Sequence, residues 1–234
     1  MIRLGITGTD TGVGKTVVAC AIAAGLRRRG LNVAAMKPVE TGVAFDDSSR
    51  DGACLARAAG GTHPLSVVAP IVLAEPLAPL AAARRSRSMI DLSLLDHAMR
   101  TASIDADALV VEGAGGLLVP ITDQVSFDTL FARWKLDVVV VAANRLGVIN
   151  HTRLTLAAIR AAGLAVSMVV TNRLSPDDEL SMEDNAALIA ELEGVRVVEL
   201  PWLANAGDLD RASEIILEPV INELERSGRP RAGR

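Results

Sequence analysis

Short runs of aliphatic and β-branched residues recur along the chain, separated by longer stretches whose apolar positions repeat at helical spacing. The runs predict strands over residues 3–6, 33–36, 108–111, 137–141, 166–170 and 195–199. The stretches between them predict helices over 15–29, 50–59, 91–102, 128–134, 152–162, 182–192 and 209–226. Gly30, after three arginines, and Gly163, after Ala162, supply helix stops. The strand runs are continuously apolar rather than alternating, as in strands covered on both faces. Alternation of strand and helix makes the expected class α/β, with a mostly parallel central sheet flanked by helices on both faces. Residues 63–87 are proline-rich without clean periodicity and read as a long surface excursion. With no repeat and no linker, residues 1–226 read as one domain, and the basic segment 227–234 as a disordered tail.

The first strand–helix junction carries the chemistry. It reads Gly8-Thr9-Asp10-Thr11-Gly12-Val13-Gly14-Lys15-Thr16. Such a loop turns backbone N–H groups around phosphate oxygens, and the helix N-terminus adds positive partial charge. Lys15 is expected to reach the outer phosphates and the Thr16 hydroxyl to hold Mg²⁺. The usual spacing puts the first glycine where this chain has Thr9, with Gly8 one residue earlier. Even so, glycines, Lys-Thr and strand–helix context coincide, and the domain reads as a P-loop NTPase-like fold.

Ligands of open α/β sheets bind beyond the carboxyl ends of the strands, so the other strand ends matter next. After the second strand comes Met36-Lys37-Pro38-Val39-Glu40-Thr41-Gly42, which brings a second cation toward the phosphates. After the third comes Val111-Glu112-Gly113-Ala114-Gly115-Gly116, a carboxylate suited to Mg²⁺ followed by close-approach glycines. A glycine turn with an exposed Glu is the alternative. Asp51 opens a predicted helix, and spacing does not separate a helix-dipole carboxylate from a metal ligand.

Composition narrows the class. The formal charge is −4 and there is no Tyr, with only three Phe and two Trp, so stacking platforms for nucleic acid are lacking. Arginines at 27–29, 84–87 and in the tail therefore read as solvated surface. His63, His97 and His151 are scattered, which argues against zinc. There is no Gly-x-Ser-x-Gly elbow. Cys20 and Cys54 fall in apolar helical stretches and read as reduced cysteines of a cytoplasmic protein. The N-terminus lacks a signal-peptide pattern, and the longest apolar run, 138–143, is too short to span a bilayer.

Four motifs together, the P-loop, Lys37-to-Gly42, Val111-to-Gly116 and Leu146-Gly147-Val148-Ile149-Asn150-His151, resemble the dethiobiotin synthetases of biotin biosynthesis over roughly residues 1–203. The resemblance implies an ATP-dependent ring closure of 7,8-diaminononanoate with carbon dioxide through a carbamate and a carbamic–phosphoric anhydride. It implies that Gly12, Val13, Gly14, Lys15, Thr16 and Val17 cradle the triphosphate and that Thr16, Asp51 and Glu112 hold Mg²⁺. Gly113, Ala114 and Gly115 complete the nucleotide site. Lys37, with Lys15, is the catalytic cation, and Thr11 and Thr41 contact substrate. Asn172 and Arg173 read the base, Pro201, Trp202 and Leu203 line its pocket, and Asp208 adds an acidic contact. For Trp202 a plain core role stays open. Gly147, Val148, Ile149 and Asn150, leading into a helix near Thr152, are implied to hold the substrate carboxylate of a neighbouring subunit in a homodimer.

Two departures stand out. Gly12 replaces an acidic residue of some relatives, and Arg173 replaces a small or acidic one. Two other readings compete. Partitioning ATPases of the ParA/MinD type share the loop but carry a signature lysine early in it, where this chain has Asp10. Cobyrinate-type amidotransferases join a similar domain to a glutaminase, for which this chain has no room.

Overall fold

The computed structural model describes residues 1–177, 180–204 and 208–226. The basic tail lies outside the described residues. Strand β1 (Ile2–Gly8) leads into helix α1 (Lys15–Arg28), followed by β2 (Val33–Met36) and β3 (Val39–Thr41). Next come α2 (Asp51–Ala58), α3 (Leu65–Val68), β4 (Ile71–Leu73), α4 (Pro79–Arg85) and α5 (Leu92–Ala102). The second half runs β5 (Ala108–Gly116), α6 (Phe127–Trp134), β6 (Asp137–Ala143), α7 (Val148–Ala161) and β7 (Val166–Asn172). It closes with α8 (Asn185–Glu193), β8 (Val197–Leu200) and α9 (Leu209–Arg226).

Six strands pair in parallel in the order β2-β5-β1-β6-β7-β8, so all six expected strands share one sheet. Alternate residues feed two cores. Leu4, Ile6, Val110 and Val139 pack with α1 and α9 on one face, while Leu109, Val111, Val138 and Val140 pack with α5, α6 and α7 on the other. This is why the strands read as unbroken apolar runs. Gly5 in β1 makes room for α6, since a Cβ there would sit 2.8 Å from the Phe131 ring. Under that face, buried Asp96 of α5 accepts from Trp134 Nε1 at 2.8 Å and pairs with Arg133, tying α5 to α6.

Three expectations are corrected. Residues 63–87 are not a plain excursion: they form α3, β4 and α4 and bury Val68, Ala69, Ala82 and Ala83. The segment after Lys37, where no strand is expected, forms β3, which pairs in parallel with β4 in a second, two-stranded sheet. Strand β5 does not stop at Val111 but continues through the glycines to Gly116, alongside β1. The register shifts between Ile6 and Gly8, so that Gly116 pairs with Gly8 after an irregularity in the ladder.

Both cysteines are free. Burial first, and then the charge of Glu112, push the Cys20 thiol up to about 12. At pH 8 only about one Cys20 in ten thousand is then a thiolate. Iodoacetamide followed by mass spectrometry is expected to leave Cys20 unlabelled in the folded protein, modify the half-buried Cys54 first, and label both in urea. Equal labelling of Cys20 and Cys54 in the native state would contradict this packing.

Candidate active site

Register brings three strand ends to one point. Strand β5 lies between β1 and β2, with Ile6 opposite Glu112 and Met36 opposite Val111. The P-loop leaving β1 and Lys37 leaving β2 therefore flank Glu112. Between them lies a cleft of about 380 Å³, lined by P-loop residues together with Lys37, Thr41, Asp51, Glu112, Ala114 and Gly115.

Lys37 is buried and its ammonium donates to Glu112 Oε1 at 2.6 Å, to Asp51 Oδ2 at 2.9 Å and to the Gly113 carbonyl at 3.3 Å. Burial alone would pull this lysine down, but the carboxylates of Glu112 and Asp51 outweigh it and hold its pKa above the ordinary value. Glu112 is fully buried, which pushes its carboxyl up against the pull of Lys37. Asp51 is also pushed up by burial, but Lys37 and the Thr16 hydroxyl outweigh this and leave it low. Thr16 Oγ1 donates to Glu112 Oε1 at 2.9 Å. The second oxygen, Glu112 Oε2, is buried without a protein partner.

Lys15 behaves differently. Its ammonium arches back over the loop to the Asp10 carbonyl at 3.2 Å, and burial together with the nearby Lys37 charge push its pKa down. One lysine is thus hydrogen-bonded to carboxylates and the other to a backbone carbonyl, and at Lys15 the charges of Glu112, Asp51 and Asp10 do not offset the downward push.

The loop itself is shaped by Gly14, which caps α1 in a left-handed conformation at φ 93°. A Cβ there would sit 2.2 Å from Asn172 Nδ2, which donates to the Val13 carbonyl at 3.0 Å. Asn172 is buried, so its amide braces the P-loop from the end of β7.

Most of the anticipated residues meet here. Thr11, Gly12, Gly14, Lys15, Thr16, Val17, Lys37, Thr41, Asp51, Glu112, Ala114 and Gly115 line the cleft. Val13 turns its side chain into the core, and Gly113 contributes its carbonyl. The exposed-Glu alternative fails, since Glu112 is 0% exposed. Asp51 is the first residue of α2 rather than its cap, which is Arg50.

The remaining positions are more scattered. Leu203 lines a second hollow of about 680 Å³ beyond Thr16 and Val17, beside Cys20 and Cys54. Trp202 is 39% exposed, which overturns the core reading, and the Arg173 amide donates to the Leu200 carbonyl at 3.0 Å. Pro201 is half-buried beside it, and Asp208 stands at the entrance to α9. Helix α7 starts at Val148, not near Thr152, with Gly147 as its left-handed cap and the Val148 side chain buried. None of 147–150 is among the described residues lining the cleft. Sequence reasoning missed Glu40 and Val43, which also line it.

A family model described as an AAA domain matches residues 3–208. The ATP-dependent dethiobiotin synthetase BioD of Anaeromyxobacter dehalogenans (strain 2CP-C) is 44% identical over 222 residues, covering 94% of this chain and 99% of that protein. The chain belongs to the dethiobiotin synthetase family. The Aquifex aeolicus (strain VF5) synthetase of the same name is 38% identical over 200 residues, covering 86% of this chain and 89% of its own. Among solved structures, the MinC:MinD cell division protein complex of Aquifex aeolicus aligns at 14% identity with a TM-score of 0.56, covering 98% of this chain and 97% of that one. That likeness shows a shared fold; the P-loop position of the partitioning-type lysine is Asp10 here.

Gly14→Ala is expected to weaken ADP binding by about tenfold or more, because the added carbon strains a left-handed residue and displaces Asn172. Isothermal calorimetry checks this, and an unchanged affinity would contradict the described brace.

Proposed function

We propose that this synthetase closes the ureido ring of dethiobiotin from 7,8-diaminononanoate, carbon dioxide and ATP at the Lys37 cleft. One amine adds to carbon dioxide to give a carbamate. A carbamate oxygen then attacks the γ-phosphorus and the bond to ADP breaks. The second amine attacks the carbonyl carbon of the resulting anhydride, loses a proton and expels phosphate. Every nucleophile belongs to a substrate, so the protein's task is positioning and charge neutralisation.

The observation that carries this reading is the Lys37 ammonium, fixed by two carboxylates and the Gly113 carbonyl beside the P-loop lysine. A cation fixed in a water-poor floor costs no reorganisation as charge spreads over the transferring phosphoryl group. Lys15, bound only to the Asp10 carbonyl, is available to exchange that contact for a phosphate oxygen. Lys37 serves the carbamate side in this reading, and Thr41 and Thr11, which line the same cleft, are read as contacts to the diamine or carbamate.

The donor set suits Mg²⁺. The orphaned Glu112 Oε2, the Asp51 carboxylate and the Thr16 hydroxyl are hard oxygen donors, too few for a closed cage, as expected for a cation that keeps waters and phosphate oxygens. Bound there, Mg²⁺ would neutralise phosphate charge. Among the described residues no group of three or more His, Cys, Asp or Glu is clustered as a metal cage.

Asn172, Arg173, Pro201 to Leu203 and Asp208 are read as the nucleotide-base side. Proximity of Asn172 to Gly14 and of Leu203 to Val17 supports this assignment.

The working unit in this reading is a homodimer, with residues 147–150 serving the partner's substrate carboxylate. Leu146, Leu118 and Leu154, 82%, 61% and 63% exposed, support a covered face here. The compartment is the cytoplasm, supported by two free cysteines; among the described residues no helix is long and apolar enough to cross a membrane.

Incubation with Mg²⁺-ATP and bicarbonate is expected to release ADP only when 7,8-diaminononanoate is present, with a product heavier by carbon dioxide minus water. ADP release indifferent to the diamine would contradict the proposal. Lys37→Ala should lose turnover by about a hundredfold or more while still binding ATP. Near-normal turnover would remove Lys37 from its role.

A further inference from the structure

At the wall of the cleft lies a second buried ion pair, Glu40 and Arg50, that the ring-closing chemistry does not use. Glu40, in the middle of β3, is 2% exposed, and the side chain of Arg50 is fully buried against it. The two carboxylate oxygens of Glu40 have different tasks. Oε2 pairs with Arg50 Nη1, and Oε1 accepts the Gly52 backbone N–H at 2.7 Å. Arg50 and Gly52 are the residues on either side of Asp51. Arg50 is the N-cap of α2, and its carbonyl accepts the amides of Ala53 and Cys54, each at 3.0 Å. Glu40 therefore grips the first turn of α2 at one side chain and one amide, with Asp51 between them.

The fit at this junction is close. A Cβ on Gly52 would lie 2.8 Å from Glu40 Oε2 and 2.7 Å from the Ala69 Cβ, so α2 is seated without slack. At the other end of the same connection, Lys37 lies three residues before Glu40, and its amide donates to the Val68 carbonyl at 2.7 Å. Lys37 is thereby tied to the end of α3, shortly before β4, while Asp51 is flanked by two residues bound to Glu40 of β3. Nε and Nη2 of Arg50 are buried without a hydrogen-bond partner, and the guanidinium carbon lies 5.7 Å from the centre of the Phe45 ring. A buried pair left incompletely bonded is a poor way to gain stability, which points to geometry as its use.

The geometry points to Glu40 and Arg50 as positioning residues that set the Asp51 carboxylate against Lys37 and toward the metal. This rests on the reading of Asp51 as a Mg²⁺ ligand. Loss of a partner that orients a metal-ligating carboxylate typically costs about 10–100-fold in metal affinity. The quantity to measure is the gain in ADP affinity that Mg²⁺ confers, obtained by calorimetry with and without the metal.

Glu40→Ala is expected to cut that gain by about tenfold or more. Glu40→Gln keeps an acceptor for Gly52 but drops the charge, and should cut it less. A purely structural pair would lower the melting temperature of both variants without changing the gain, which would overturn the proposal. Asp51→Asn is the reference. If it lowers the gain and the Glu40 variants do not, the positioning role alone fails. If Asp51→Asn has no effect, the metal reading fails and the positioning role with it. Should the Glu40 variants not fold, hydrogen exchange of the Gly52 amide in the unaltered protein decides. Protection supports the grip, and exchange at the rate of an unstructured chain overturns it.

Discussion

A carboxylate buried at the end of a parallel strand must find a counter-charge, and for Glu112 that charge is Lys37. Removing water from either group alone would cost several kcal/mol in a real protein interior. Here the two meet at 2.6 Å because β5 is inserted between β1 and β2. Sheet order thus does electrostatic work. Had β2 paired directly with β1, the lysine would leave the sheet away from the acid and neither could be buried in its charged form.

The rest of the site is arranged around that pair. The P-loop arrives from β1, on the other side of Glu112, and its Thr16 hydroxyl shares the same carboxylate oxygen as Lys37. Asp51 comes from outside the main sheet, on α2, and takes the third side of the ammonium. The outcome is two lysines with opposite tendencies. Lys37 is stabilised as a cation by fixed anions, whereas for Lys15 burial and the Lys37 charge outweigh the pull of Glu112, Asp51 and Asp10. A polyphosphate supplies what Lys15 lacks, so affinity for phosphate is built into the unliganded electrostatics.

The main sheet was legible because its strands are covered on both faces and read as unbroken apolar runs, such as 137–141 and 166–170. The P-loop, Lys37 and Glu112 were legible because each directly follows such a run. The β3–β4 sheet was not. Its strands are three residues long, and Ile71–Leu73 sits among prolines, too short for periodicity to register. Strand β5 was underestimated because glycine ordinarily ends a strand, whereas Gly113 to Gly116 continue beside β1. Glu40 and Arg50 were missed for a plainer reason. Ten residues apart, on a short strand and at a helix cap, they share no spacing rule, and only the fold brings them together.

The central claim is that the Lys37 ammonium is held charged between Glu112 and Asp51, and its own titration tests this most directly. Nitrogen-detected NMR of lysine side chains, with Lys37 assigned from Lys37→Arg, would follow the group through alkaline pH in the ligand-free protein. The account predicts a charged ammonium persisting above the ordinary lysine value of 10.5. Because the folded pKa is raised, the stabilisation from this pair is fully present below 10.5 and is lost only as pH climbs on through the higher folded pKa. Deprotonation below 10.5 would contradict the account, since it would mean that desolvation outweighs the two carboxylates.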